Sequence, residues 1–178
     1  MDVPAALSLA SRVQSEIDAA GLGRRFIQPT VLAASDLAAL YDTLVRSAPL
    51  RAATRRLFVD GHYARAVEEA FKCLNNAVKE KSGLSAKDGA DLMRDAFSAN
   101  GPLLKLNDLR STSKKDEQRG YMDLYAGAMT GVRNPRAHDQ RLDDGPETAL
   151  ELLALAQHLM RRLGNATRAR RRRNLARP

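Results

Sequence analysis

The sequence predicts an all-α bundle, with a helical segment ahead of it and a basic tail behind it, on three observations. Apolar residues recur at three- and four-residue spacing in several segments. Leu and Ala dominate the apolar content and β-branched runs are scarce, which favours helix over strand. Gly and Pro punctuate the chain between most of these segments, and no strand-like alternation or internal repeat is present.

In chain order, Ala6, Leu7, Ala10, Val13, Ile17 and Ala20 predict a first helix over 3–20, ended by Gly21-Leu22-Gly23. Ser35 is the expected N-cap of a helix reaching Arg46. Pro49 breaks the chain, and a short helix is expected over 50–59. Asp60-Gly61 marks a turn before the most amphipathic segment, 62–81, with Tyr63, Val67, Ala70, Phe71, Leu74 and Val78 on one face. Ser85 with Asp88, and Ser113 with Asp116, read as capping boxes opening helices to about Phe97 and Val132. The second of these carries Tyr121, Leu124, Tyr125, Ala128 and Val132 on its expected core stripe. Pro146 suits the first turn of a last helix, with Ala149, Leu152, Leu153, Ala156, Leu159, Met160 and Leu163 facing inward and Gly164 as its C′ residue. Residues 1–49 are thus an N-terminal helical segment, 50–164 the bundle, and 165–178 an Arg-rich flexible tail.

Hydrophobic residues make up 44% of the 178, enough for a real core, yet aromatics are only 4%. The core is therefore aliphatic. The net charge is +8, but Arg168, Arg170, Arg171, Arg172, Arg173 and Arg177 supply six of those charges with no acid among residues 165–178. Such a run is self-repelling and attracts phosphates through counterion release. The single Cys73 makes no internal disulfide and fits a reducing, cytoplasmic setting. No apolar run approaches the roughly 20 residues needed to span a bilayer, and the first residues do not read as a signal peptide. No cofactor and no metal site are expected.

The segment Gly127-Ala128-Met129-Thr130-Gly131-Val132-Arg133-Asn134-Pro135-Arg136-Ala137-His138 carries a distinctive pattern: Arg, a polar residue, a spacer, then His. It resembles the signature of the HEPN superfamily. The flanks Asp60 to Ala70, Gly89 to Met93 and Leu152 to Leu163 resemble the Ymh-like branch. The resemblance spans about residues 50–164. It implies an HEPN-type antiparallel bundle, dimers with two motifs facing a shared cleft, and a metal-independent endoribonuclease of a defence or toxin–antitoxin system, with an inhibitory or defence-system partner protein.

The residues carry that chemistry in their own right. Arg offers a fixed charge and a planar fork matched to phosphate, and His moves a proton near neutral pH. A proline disfavours helix at the residue before it, so Pro135 is expected to break the helix and turn Arg133 and His138 toward one groove, with Asn134 capping the new turn. RNA needs no metal for cleavage when its 2′-OH is the nucleophile. Arg133 and His138 then fill two of the three roles of base, phosphorane stabiliser and acid. Arg136, His62 and the tail arginines Arg168, Arg170, Arg171, Arg172 and Arg173 are supporting or RNA-binding candidates.

Plainer readings stand beside these. Arg133 and His138 also suit helix-end bonding and packing. His62 suits a local cap, His158 a structural role, Tyr121 and Tyr125 packing, Cys73 a small buried hydrophobe, and Asp91 and Asp139 surface acids. The alternative function is a noncatalytic HEPN dimerisation module binding RNA or a partner protein. A DNA-binding regulator ranks last, because no helix-turn-helix is evident.

Overall fold

The computed structural model describes residues 34–139 and 141–169, together with Arg12, Ser15, Glu16 and Ala19. Those four isolated positions are helical; the rest of the helix expected over 3–20 lies outside the described residues, as do Arg170, Arg171, Arg172 and Arg173. The chain divides into two units, Met1–Ala33 and Ala34–Pro178. The boundary expected at residue 49 therefore falls inside the second unit.

That unit contains α1 (Ala34–Leu44), α2 (Ala48–Val59), α3 (Tyr63–Ser82), α4 (Gly89–Ala96), β1 (Leu104–Lys105), α5 (Thr112–Gly127), a π-helical turn (Ala128–Arg133), α6 (Asn134–His138), α7 (Pro146–Asn165) and β2 (Thr167–Arg168). Helix α3 is central and packs on α2, α7, α4 and the π turn. Its predicted face holds: Val67, Ala70, Phe71, Leu74 and Val78 are fully buried. Helix α7 meets it with Ala149, Leu153, Ala156, Leu159 and Leu163. Helix α1 joins this core through Tyr41, which stacks on Phe58 at 5.1 Å and shares a buried 2.6 Å hydrogen bond with Thr54, and Val45 just past its end is buried as well.

Several expected boundaries shift for identifiable reasons. Pro49 lies in the first turn of α2 and does not precede it, because that turn has no use for its amide. Ser35 lies inside α1. The N-caps of α4 and α5 are Asp88, accepting from the Gly89 amide, and Ser111, accepting from the Lys114 amide. Neither Ser85 nor Ser113 serves. Gly164 is helical, and α7 is closed from a distance: Lys81 Nζ donates to the carbonyls of Leu163 (2.6 Å) and Gly164 (2.8 Å).

The bundle region is not wholly free of strand. β1 pairs antiparallel with β2, Leu104 opposite Arg168 and Lys105 opposite Thr167. The Ala169 amide extends the contact to the Leu103 carbonyl at 2.8 Å, and Ala166 is buried. The first residues of the expected tail are thus docked. The opposite side of this short ladder is held by Gln118, fully buried, which accepts from the Leu106 amide and donates to the carbonyls of Phe97 and Leu104.

Candidate functional site

Helix α5, the π turn and α6 form one unbroken helical path from Thr112 to His138. The expected break at Pro135 does not occur. Asn134 keeps helical angles, φ −64° and ψ −44°, and its amide donates to the Met129 carbonyl, five residues back. A proline inside an α-helix would press on the carbonyl four residues earlier; the wider π turn just ahead of Pro135 relieves that conflict. The strain is absorbed as a bulge.

This changes the geometry of the motif. Arg133 and His138 lie five residues apart on helical backbone, so their Cα–Cβ directions diverge by about 140°. The backbone does not turn both toward one groove. His138 is exposed; Arg133 is half-buried, and its Nη1 donates to Asn134 Oδ1 at 3.1 Å. Asn134 therefore partners Arg133 and does not cap a new turn.

Arg136 is differently used. Its Nε and Nη2 donate to Asp144 Oδ2 and Oδ1, both at 2.7 Å, and its Nη1 donates to the Val132 carbonyl at 2.9 Å. The two side chains are only 9% and 6% exposed. A guanidinium so occupied supports the motif from beneath and is not a free phosphate ligand. Asp139 ends α6, its amide on the Pro135 carbonyl and its Oδ1 on the Arg141 amide.

The remaining candidates spread out. His62 is exposed at the start of α3 and makes no side-chain cap. Arg168 is exposed in β2, and its guanidinium lies where a Cβ on Gly83 would project. Gly83 itself, at φ +79°, closes α3 in the left-handed region that suits glycine. Tyr125 is fully buried with its hydroxyl on the Leu159 carbonyl, and burial pushes that phenol up. Tyr121 bonds His158 Nε2 at 2.7 Å and lies under the Arg162 guanidinium, 4.5 Å from the ring centre. Burial raises the Cys73 thiol, and Asp91 is a surface acid paired with Arg94. Leu124 is 51% exposed, so the expected core stripe of α5 is wrong at that position; Gln118 is buried in its stead.

Sequence reasoning missed Asp144 and Glu68. Glu68 is buried in α3 between Lys72 (2.7 Å) and Arg65 (2.6 Å). Burial pushes its carboxyl up, but the two cations outweigh it and hold the group below its usual range. The Arg65–Glu68–Lys72 spacing was visible as helical charge pairing. Nothing local separated Asp144 from Asp139 and Asp143. Among the described residues no group of His, Cys, Asp or Glu side chains is arranged to hold a metal ion, and no helix is long and apolar enough to cross a membrane.

Fold and site together define an all-α bundle that displays an Arg-x4-His helix. The chain belongs to the family described as Protein of unknown function (Hypoth_ymh), whose model it matches over residues 48–163. No curated protein and no solved structure matches it.

Proposed function

We propose that the chain is a metal-independent endoribonuclease of HEPN type, acting in defence or as a toxin. The observation that carries this reading is the division of labour within the motif. Arg136 is locked internally by Asp144, which leaves Arg133, half-buried and bonded through one nitrogen to Asn134, as the phosphate fork and the exposed His138 as the proton carrier. In this mechanism His138 removes the proton of a ribose 2′-OH, whose oxygen attacks the adjacent phosphorus. Arg133 steadies the phosphorane charge, and the 5′-oxygen leaves with a proton, giving a 2′,3′-cyclic phosphate.

The divergence of Arg133 and His138 on one helix favours completion of the site by a second copy, whose own His138 protonates the leaving oxygen. A face for that second copy adjoins the motif. Leu124 lines a mostly apolar groove of about 410 Å³ together with Gly120, Asp123, Gly127, Ala128, Val132 and Leu155. Arg119 and Asp123 nearby are exposed and opposite in charge, so across a two-fold axis each can meet the other on the second copy. The arginines from Arg168 onward add sequence-independent attraction for RNA.

The test is cleavage of RNA by the purified chain in EDTA, with His138→Ala alongside. Product carrying 2′,3′-cyclic phosphate, lost in the variant, supports the reading. A His138→Ala protein that cleaves at the parent rate removes it. An RNA-binding but uncleaving parent points to the noncatalytic module.

A further inference from the structure

We infer that Asp144 is a positioning residue: through its fork on Arg136 it fixes the direction of the α6 turn that presents His138. The inference rests on the reading of His138 as the proton carrier.

Helix α6 is the five-residue end of the helical path that begins at Thr112. It follows a π turn, contains a proline that donates nothing, and ends at Asp139 in extended geometry, φ −105° and ψ 102°. The Asn134 amide bonds back to Met129 and the Asp139 amide to Pro135, along the helical path itself. The loop after it leads into α7, a rigid helix seated in the core. Asp144 stands at the end of that loop, just ahead of the Gly145 N-cap. Its two oxygens take two guanidinium nitrogens of Arg136 in parallel, and the third nitrogen closes on the Val132 carbonyl inside the π turn. One side chain of α6 thereby ties the turn before it to the helix after it.

Stability alone does not explain this pair. Both partners are nearly dry, and the desolvation of two charges offsets most of their attraction. An apolar pair of similar volume would hold the layers together as well. What a bidentate fork adds is direction, since two parallel hydrogen bonds fix orientation as well as distance. His138 lies two residues beyond the fork on the same short helix, so a rotation of α6 carries its imidazole with it.

The experiment compares the full chain with Asp144→Asn and with the double variant Arg136→Met/Asp144→Leu, which replaces the buried pair by apolar side chains. Melting, backbone amide order at residues 134–138 by nitrogen relaxation, and steady-state cleavage of RNA are measured. The double variant is expected to melt near the parent temperature while the order parameters of α6 fall from about 0.85 to under about 0.6. Its kcat is expected to fall about 100-fold with little change in KM, the scale of a displacement near 1 Å. Asp144→Asn, which keeps shape and loses charge, should fall between. Parent-like order in α6, or parent-like kcat, in the double variant overturns the inference. So does a double variant that fails to fold, since the pair would then be a folding element. Should the parent cleave no RNA, the proposed activity fails, and the order parameters alone decide the role of Asp144.

Discussion

Gln118 offers the sharpest test of how the short ladder holds the fold. Its side chain is fully buried and satisfies three backbone groups: the Leu106 amide at 2.9 Å and the carbonyls of Phe97 and Leu104 at 3.0 Å each. Gln118→Leu keeps most of the volume and removes all three bonds. A buried backbone group left without a partner costs about 1–3 kcal/mol, so the variant should lose at least about 3 kcal/mol. That is a large fraction of the roughly 5–15 kcal/mol typical of a domain. Urea unfolding followed by helical circular dichroism measures it, and the midpoint should fall with the slope unchanged. Lys115→Ala, three residues back and exposed, is the control and should change stability by less than about 0.5 kcal/mol. A Gln118→Leu loss below about 1 kcal/mol would refute the three-bond account, because no rearrangement short of opening the loop supplies those partners.

Other expectations follow from single contacts. Ending the chain after Ala169 should leave the melting temperature unchanged, weaken RNA binding and flatten its salt dependence; ending it after Gly164 should lower the melting temperature by removing β2 and buried Ala166. The Glu68 carboxyl is held below its unfolded value near about 4.3, so its contribution is full above that pH and is lost as pH falls through the lower folded value. Melting temperature should therefore drop as pH falls below that value, and Glu68→Gln should flatten the drop. Burial raises the Cys73 thiol, so a disulfide reagent at neutral pH should label it slowly in the folded chain and quickly in urea. Arg133→Lys should cleave RNA poorly with helical content intact, because an ammonium does not replace a planar fork.

The helices were legible in the sequence wherever a long apolar stripe repeated, as in α3 and α7, because burial of one face decides those elements. Short-range signals were less reliable. Ser85 and Ser113 each sit near a helix start, but the cap is the residue whose oxygen reaches the first amides, and these are Asp88 and Ser111. Leu124 fits the helical period of a core stripe yet faces outward, since the neighbouring elements cover the side of α5 that carries Gln118, Tyr125 and Ala126. The motif was visible as residue types, while its conformation was not. Local rules make Pro135 a break, and a π turn with i−5 bonding accommodates it within a continuous helix. Arg136 could not be told from Arg133 by type; only the approach of Asp144 from the next loop separates the locked guanidinium from the available one. The β1–β2 pair was invisible because two-residue strands carry no period.

The most direct measurement of the central claim is single-turnover cleavage of an RNA in EDTA by the parent chain and by His138→Ala, with a matched substrate carrying 2′-deoxyribose at the cut site. The parent is expected to give a 2′,3′-cyclic phosphate product, the variant a rate lowered about 10²–10⁴-fold, and the deoxy position no cut. Equal rates for parent and variant, or cleavage of the deoxy substrate, would contradict that claim.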